Sequence, residues 1–141
     1  MIEGENVNIN SNLDLIKVKE SQYEAIGVAD AAIVCSGTAT LETSMLRCPM
    51  VVCYKLSWAT WFFAKAMSKV KYLSLTNLIA EDEIVEELHQ NKMNAKRLSQ
   101  SITSLISPKN KYELLKKYDK LIMKLKNSEN AYDSAAKYIY D

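Results

Sequence analysis

A glycine-containing turn between two apolar runs constrains the fold of this chain more than any other feature. The turn is Ser-Gly-Thr at residues 36–38, and the runs cover residues 31–35 and 49–54. Each run has about strand length and is apolar without alternation, as in strands of a parallel sheet that are buried on both faces. One short helix fits between them, over residues 38–47. Strand, turn, helix and strand form a βαβ unit, so we predict a Rossmann-like α/β three-layer sandwich with a parallel sheet.

The turn has the chemistry of an anion site at the N-terminus of a helix. Gly37 lets the backbone bend sharply, and Ser36 and Thr38 can donate hydrogen bonds to phosphate oxygens. Glu42 follows Thr38 by one helical turn, where its carboxylate can accept both hydroxyls of a ribose. The same residues also fit a plain helix in which Thr38 is the cap and Glu42 is a surface side chain. The residues alone leave a nucleotide site and a plain cap as open alternatives.

The hydrophobic pattern and the breakers divide the remainder of the chain into short elements. We predict further helices over residues 21–28, 57–70, 81–90, 94–106, 111–126 and 131–140, and extended segments at residues 15–18 and 71–75. Ser21 with Glu24 has the spacing of a capping box, and Asn94 is suited to an N-cap. Pro108 ends one helix, so we place a nucleotide-binding domain at residues 1–108 and a helical tail at residues 109–141.

Two further segments have chemistry of their own. Asn77 lies in a predicted turn after an extended segment, where its amide would bind a ligand in the crevice of an open α/β sheet or simply stabilise the turn. Residues 56–67 contain both tryptophans and both phenylalanines of the chain. They fit a buried helix or, with Lys55, Lys65, Lys69 and Lys71 around them, contact with an anionic membrane or an acyl chain.

Composition excludes several classes of function. The net charge of +1 over 141 residues gives no argument for nucleic acid. Only three glycines are present, so neither a dinucleotide fingerprint nor a Walker A loop occurs. One histidine and three cysteines without ligand spacing predict no metal and no cofactor. We expect reduced cysteines in the core, no export signal and a cytoplasmic location, and we interpret the acidic and the lysine-rich helices as solvated faces.

Three ordered blocks, at residues 29–42, 48–55 and 70–80, resemble lipid-A-disaccharide synthases, and the resemblance extends over residues 15–106. It implies half of a GT-B glycosyltransferase fold, at the cytoplasmic face of a Gram-negative inner membrane. It also implies an inverting transfer, without a metal, from UDP-2,3-diacylglucosamine to 2,3-diacylglucosamine 1-phosphate with release of UDP. The residues that it assigns to the UDP donor are Ser36, Gly37 and Thr38 at the phosphates, Glu42 at the ribose, and Tyr54 and Asn77 at the pocket wall.

The chain departs from the family in two places and in length. Thr76 stands where the family usually has proline, and Glu81-Asp82 stands where it usually has Gly-Arg. Carboxylates in place of that arginine would weaken donor binding if the arginine contacts the diphosphate. The resemblance covers only the C-terminal, donor-binding portion, because the acceptor site and the expected base lie in an N-terminal domain that has no counterpart in this sequence. His89 is the only candidate for a base at neutral pH, and it is predicted to lie in a helix, so no residue of this chain is expected to act as the base.

We therefore expect a donor-binding half that is inactive without a partner chain or the missing domain, and no catalytic residue in this chain. The alternatives are a non-catalytic nucleotide-sugar-binding module and a purely structural remnant. Tyr118, Ile122 and Tyr138 are expected to remain exposed without the other domain, which predicts self-association.

Overall fold

The computed structural model describes residues 16, 18, 20–35, 37–54 and 71–127, and these contain a parallel sheet of three strands with helices around it. The elements in chain order are α1 Gln22–Val28, β1 Ala32–Cys35, α2 Thr38–Met45, β2 Met50–Tyr54, α3 Leu75–Ala80, β3 Glu86–His89, a 3-10 helix Gln90–Lys92, α4 Ala95–Leu105 and α5 Pro108–Asn127. The strands pair in the order β1-β2-β3, and both pairs are parallel. The predicted Rossmann-like α/β fold is therefore confirmed.

The central strand β2 is covered on both faces, which explains why its sequence is apolar throughout. On one face, Met50 and Val52 pack with Tyr118 of α5. On the other face, Val51 packs with Leu98 of α4. Complete burial of one such side chain stabilises the fold by about 1.5–3 kcal/mol, so the sandwich around β2 is the main source of its stability.

The edge strand β1 is covered on one face only, although its sequence predicted burial on both. Val34 is buried against the α5 side, but Ile33 is 56% exposed and Cys35 is exposed. Among the described elements, α4 lies over β2 and β3 and does not reach this part of β1. The expectation that cysteines lie in the core holds for Cys48 and Cys53 and is wrong for Cys35.

Helix α2 buries hydroxyl side chains against the sheet because each hydroxyl is satisfied within the helix. Thr40 Oγ1 donates to the carbonyl of Gly37 at 2.8 Å, and Thr43 Oγ1 donates to the carbonyl of Ala39 at 2.7 Å. Ser44 Oγ donates to a carbonyl one turn earlier in the same way, at 2.7 Å. Small side chains without unpaired polar atoms let the helix approach the strands closely.

The segment from residue 71 to residue 92 differs from the prediction. Residues 75–80 form α3 instead of ending in a turn at Thr76-Asn77, and the predicted acidic helix 81–90 is β3 followed by the 3-10 helix. The two acidic residues of β3 concealed the strand, because their partners are more than ten residues away in sequence. Glu86 accepts hydrogen bonds from Arg97 of α4, and Glu87 binds the backbone before α3.

The other helices bear out part of the prediction. Residues 22–28 form α1, but the side chain of Ser21 makes no capping hydrogen bond, so the capping box is wrong. Asn94 caps α4, since its Oδ1 accepts from the Arg97 amide at 3.0 Å. The predicted helices at residues 57–70 and 131–140, and most of the segment at 15–18, lie outside the described residues.

The start of the predicted tail belongs to the core. Tyr118 of α5 is fully buried against the sheet, so the expectation that it remains exposed is wrong. Ile122 is half-buried, and Tyr138 lies outside the described residues. The stripe of apolar residues along α5 therefore finds its partner within this chain.

Candidate nucleotide site

The carboxyl ends of the three strands place several polar and aromatic residues at one edge of the sheet. Tyr54 and His89 are the last residues of β2 and β3, and they are register partners. Gly37 and Thr38 follow the end of β1 at the same edge, because Cys35 pairs with Cys53 beside Tyr54. In open parallel sheets, ligands bind in the crevice beyond this edge.

The turn at Gly37 is open and has a backbone conformation that requires glycine. Gly37 has φ 142° and ψ −161°, a region that residues with a Cβ rarely adopt. A Cβ added there would meet no atom of the described residues within 4 Å. Backbone geometry, not crowding, therefore demands this glycine.

Helix α2 begins at this turn, and no described side chain caps its N-terminus. The Gly37 carbonyl accepts from the amide of Thr40 at 3.2 Å, while the Thr38 side chain is exposed. The first amides of the helix thus point toward the open edge with the positive end of the helix dipole, which is the arrangement that favours an anion. Ser36, the other predicted phosphate contact, lies outside the described residues.

Glu42 is half-buried on α2, one turn after Thr38, as the sequence predicted. Its Oε1 accepts a hydrogen bond from the hydroxyl of Tyr23 on α1, at 3.4 Å. Within the described residues it has no ion pair. The carboxylate therefore keeps acceptor capacity for a ligand.

Tyr54 and His89 form an aromatic pair at the same edge. Their ring centroids are 5.6 Å apart with an interplanar angle of 24°. Burial, with a smaller contribution from the negative charge of Glu87, raises the pKa of Tyr54 to about 12. Its phenol is therefore a neutral donor at physiological pH. The sequence analysis placed His89 in a helix because of the acidic pattern around it, so it did not predict the pairing with Tyr54.

Asn77 differs from the prediction, because its side chain is completely buried and fully hydrogen-bonded. Its Nδ2 donates to the Val85 carbonyl and to Glu87 Oε1, both at 2.9 Å. Its Oδ1 accepts from the amides of Ile84 at 2.9 Å and Val85 at 3.0 Å. No capacity remains for a ligand, so the expectation of a direct contact with the donor is not met by this geometry.

The same network fixes the start of α3. Glu87 Oε1 accepts from the hydroxyl of Ser74 at 2.8 Å, and Glu87 Oε2 accepts from the Leu73 amide at 3.1 Å. Ser74 Oγ in turn accepts from the Asn77 amide at 3.2 Å. Asn77 and Glu87 together hold residues 73–77 beside β3, and no sequence motif indicated this pairing.

The departure at Glu81-Asp82 lies far from the turn. These residues follow α3 and precede β3, so they lie near the amino end of the strand, opposite the edge that carries Gly37. Glu81 has φ 59°, a left-handed conformation that suits the glycine usual in the family. Its carboxylate pairs with Lys124 at 2.7 Å, and this contact lowers its pKa. The two carboxylates therefore do not face the candidate anion site.

A parallel sheet with an open glycine turn at a helix N-terminus defines a Rossmann-like α/β domain with a candidate anion site at its carboxyl edge. The family model described as lipid-A-disaccharide synthetase matches residues 1–139. The chain belongs to the lipid-A-disaccharide synthase family. No group of three or more metal-ligating side chains occurs in the part of the chain that the structure describes.

Individual relatives agree with the family model. The lipid-A-disaccharide synthase of Blochmanniella pennsylvanica is 39% identical over 98 residues, which cover 70% of this chain and 25% of that protein. The Sulfurihydrogenibium sp. enzyme is 34% identical over 134 residues, covering 93% of this chain and 34% of that protein. The Haemophilus influenzae enzyme (strain PittEE) is 33% identical over 144 residues, which cover 99% of this chain and 36% of that protein. The chain thus spans between a quarter and about a third of the length of these relatives.

Proposed function

We propose that this chain forms the donor site of a lipid-A-disaccharide synthase, a hexosyltransferase of lipid A biosynthesis. The donor would be UDP-2,3-diacylglucosamine, the acceptor 2,3-diacylglucosamine 1-phosphate, and the released product UDP. The observation that carries the proposal is the turn at Gly37, where α2 begins at the carboxyl edge of the sheet without a cap from any described side chain, and where a Cβ would meet no described atom within 4 Å. Family membership supports the identity of the nucleotide.

In this proposal the diphosphate rests against the N-terminus of α2. The helix amides and the hydroxyls of Ser36 and Thr38 bind the phosphate oxygens, and they stabilise the charge that UDP gains as a leaving group. Glu42 accepts the ribose hydroxyls, and Tyr54 lines the wall as a neutral phenol. The reaction is a direct displacement at the anomeric carbon with inversion, in which the helix N-terminus offsets the leaving-group charge in place of a metal.

Asn77 has a supporting role in the proposed site. Its hydrogen bonds, together with those of Glu87, hold Ser74 and the start of α3. Asn77 therefore fixes residues 73–77 beside β3, and the donor binds to other residues. A rigid backbone at β3 helps to hold the sheet that carries the crevice.

We further propose that this chain binds the donor but needs the remaining portion of the enzyme, or a partner chain, for catalysis. The chain covers 25–36% of the relatives described above, and no described residue is placed as a base for a sugar hydroxyl. The runner-up is a nucleotide-sugar-binding module without any catalytic partner. Assaying disaccharide formation from both lipid substrates, with the chain alone and with a supplied N-terminal domain, separates the two.

The direct test is calorimetric titration of the 141-residue chain with UDP. Wild type should bind, and Glu42→Ala should lower the affinity about tenfold or more, because the ribose loses a charged acceptor. Glu24→Ala, an exposed acidic residue on α1, is the matched control and should bind as wild type does. Absence of any binding by the wild type contradicts the donor site and favours a structural remnant.

Peripheral contact with the cytoplasmic face of the inner membrane is also proposed. The outward face of α5 supports it, since this face exposes the basic side chains Lys109, Lys116, Lys117, Lys120, Lys124 and Lys126. Tyr112 and Met123 are exposed beside them, at 60% and 65%. Lysines with amphipathic neighbours fit an anionic lipid surface. No described helix is long and apolar enough to cross a membrane.

Vesicle sedimentation tests this contact. Wild type should sediment with vesicles that contain phosphatidylglycerol, and the double reversal K116E/K120E should abolish most of the binding. The control K92E/K96E changes the net charge equally on the exposed lysines of another region. If K116E/K120E and K92E/K96E lost vesicle binding equally, the contact would not lie on α5. Self-association stays a prediction, to be measured by sedimentation velocity at high concentration.

A further inference from the structure

Helix α1 is attached to the domain in an unusual way. None of its residues is fully buried, and only Ala25 and Ile26 are half-buried. Tyr23 lies in its first turn with a side chain that is 48% exposed. The hydroxyl of Tyr23 nevertheless reaches across to α2 and donates to Glu42 Oε1 at 3.4 Å. This hydrogen bond therefore joins α1 to Glu42, a residue of the candidate nucleotide site.

We propose that Tyr23 is a positioning residue that orients the Glu42 carboxylate for recognition of the ribose hydroxyls. This inference rests on the proposed donor site and adds a residue to it. A glutamate on the flank of a helix has three rotatable side-chain bonds, so without a partner it samples several rotamers. When the Tyr23 hydroxyl donates to Oε1, it favours one of these rotamers. Oε2 and the remaining lone pair of Oε1 are then available to the ribose hydroxyls.

The geometry of the contact between Tyr23 and Glu42 fits a positioning role. At 3.4 Å it is long for a hydrogen bond to a carboxylate, and such bonds tighten when a ligand completes the site. Because both side chains are partly exposed, the bond contributes little to folding stability. Glu42 has no cation near it among the described residues that would orient it instead.

The test is a comparison of UDP with 2′-deoxy-UDP, which lacks one of the two hydroxyls that Glu42 would accept. Wild type should prefer UDP. Tyr23→Phe removes only the hydroxyl of Tyr23, and it should reduce this preference about threefold or more while the unfolding midpoint stays the same. Tyr112→Phe, which removes a hydroxyl from an exposed tyrosine on α5, is the control and should retain the full preference.

The outcomes separate this inference from the donor site on which it rests. If wild type prefers UDP and Tyr23→Phe retains that preference in full, the positioning role is overturned and the donor site stands. If wild type binds both nucleotides equally, Glu42 does not recognise the 2′-hydroxyl and the role of Tyr23 is overturned with it. If wild type binds neither nucleotide, the donor site and the inference are both overturned.

Discussion

The turn at Gly37 and the network around Asn77 are both polar, and the sequence indicated both as ligand contacts. They differ in how they use their hydrogen-bonding groups. At Gly37 the first amides of α2 have no cap from any described side chain, and no described atom lies within 4 Å of the Cβ position of the glycine. At Asn77, four hydrogen bonds to Glu87, Ile84 and Val85 fill the capacity of one buried amide.

This difference distinguishes a binding surface from a structural support. A buried amide that is fully paired contributes to folding, whereas donors at an open helix N-terminus can still bind an anion. The Ser-Gly-Thr turn and Asn77 have a similar sequence signature, polar residues after an extended apolar segment. The structural role of Asn77 is visible only in its partners, which lie seven to ten residues further along the chain.

Breaking the network at Asn77 should have the largest effect on stability. Asn77→Ala removes four hydrogen bonds in a completely buried site, those to the Val85 carbonyl, the Val85 amide, the Ile84 amide and Glu87 Oε1. We expect a loss of about 3 kcal/mol in the free energy of unfolding, measured by urea denaturation.

Thr76→Val is the matched control for this substitution. Thr76 is the preceding residue and is equally buried, but its Oγ1 has no hydrogen-bond partner in the described part of the protein. Removal of an unpaired hydroxyl should change stability by no more than about 0.5 kcal/mol or should increase it. A small loss in Asn77→Ala would mean that its hydrogen bonds are exchanged for solvent and that it is free for a ligand.

Substituting Gly37 should have the next largest effect, and it should affect both stability and binding. Gly37→Ala forces a Cβ into a backbone region with φ 142°, at a cost of about 2 kcal/mol measured by urea denaturation. Any relaxation of the turn also turns the α2 amides, so calorimetry should show weaker UDP binding. Gly27→Ala is the control, because a Cβ at Gly27 is equally free of contacts and its φ is not positive.

Gly27→Ala should stabilise the protein by about 0.5–1 kcal/mol, since alanine favours the helix. If Gly37→Ala and Gly27→Ala changed the free energy of unfolding equally, the backbone at Gly37 would not be strained. The argument that this turn lets a ligand approach the backbone closely would then be overturned.

The fold could be predicted from the sequence where local pattern and tertiary structure agree. The apolar runs at β1 and β2 and the glycine between them predicted a parallel βαβ unit, and the amide of Asn94 predicted the start of α4. The prediction failed at β3, because Glu86 and Glu87 are tolerated in a strand only through Arg97 and the start of α3. Such partners depend on tertiary structure, and no local signal contains them.

For the candidate site, the sequence indicated the turn and Glu42 but not Tyr23, and it placed His89 in a helix. Tyr23 has the pattern of an ordinary helical residue, and its proposed role arises only because its hydroxyl reaches Glu42, which is 19 residues away. His89 joins Tyr54 through strand register, which followed from a strand that the sequence did not predict.

Tyr118 tests whether an unpaired polar group is enough to indicate a ligand site. Its hydroxyl is buried and has no well-formed hydrogen bond to any described residue, and only a weak approach to the Met50 backbone is present. Unlike the turn at Gly37, it lies in a closed core. Tyr118→Phe should therefore change stability at pH 7 by no more than about 1 kcal/mol and leave UDP binding unchanged.

The same substitution has a signature at alkaline pH. Burial raises the pKa of Tyr118 above the ordinary value for tyrosine, so the folded state retains its proton more tightly than the unfolded state. Its stabilising contribution is complete below about pH 10 and is lost as the pH rises toward the folded-state pKa. Tyr54, with a pKa of about 12, adds to this loss. Urea midpoints between pH 9 and pH 11 should thus fall less steeply in Tyr118→Phe than in wild type. Tyr112→Phe should follow wild type, because its ring is 60% exposed.

A large loss of stability at pH 7 in Tyr118→Phe would instead mean that the Tyr118 hydroxyl is hydrogen-bonded. The turn at Gly37 would then be distinguished from Tyr118 by its openness to solvent, not by the lack of a partner.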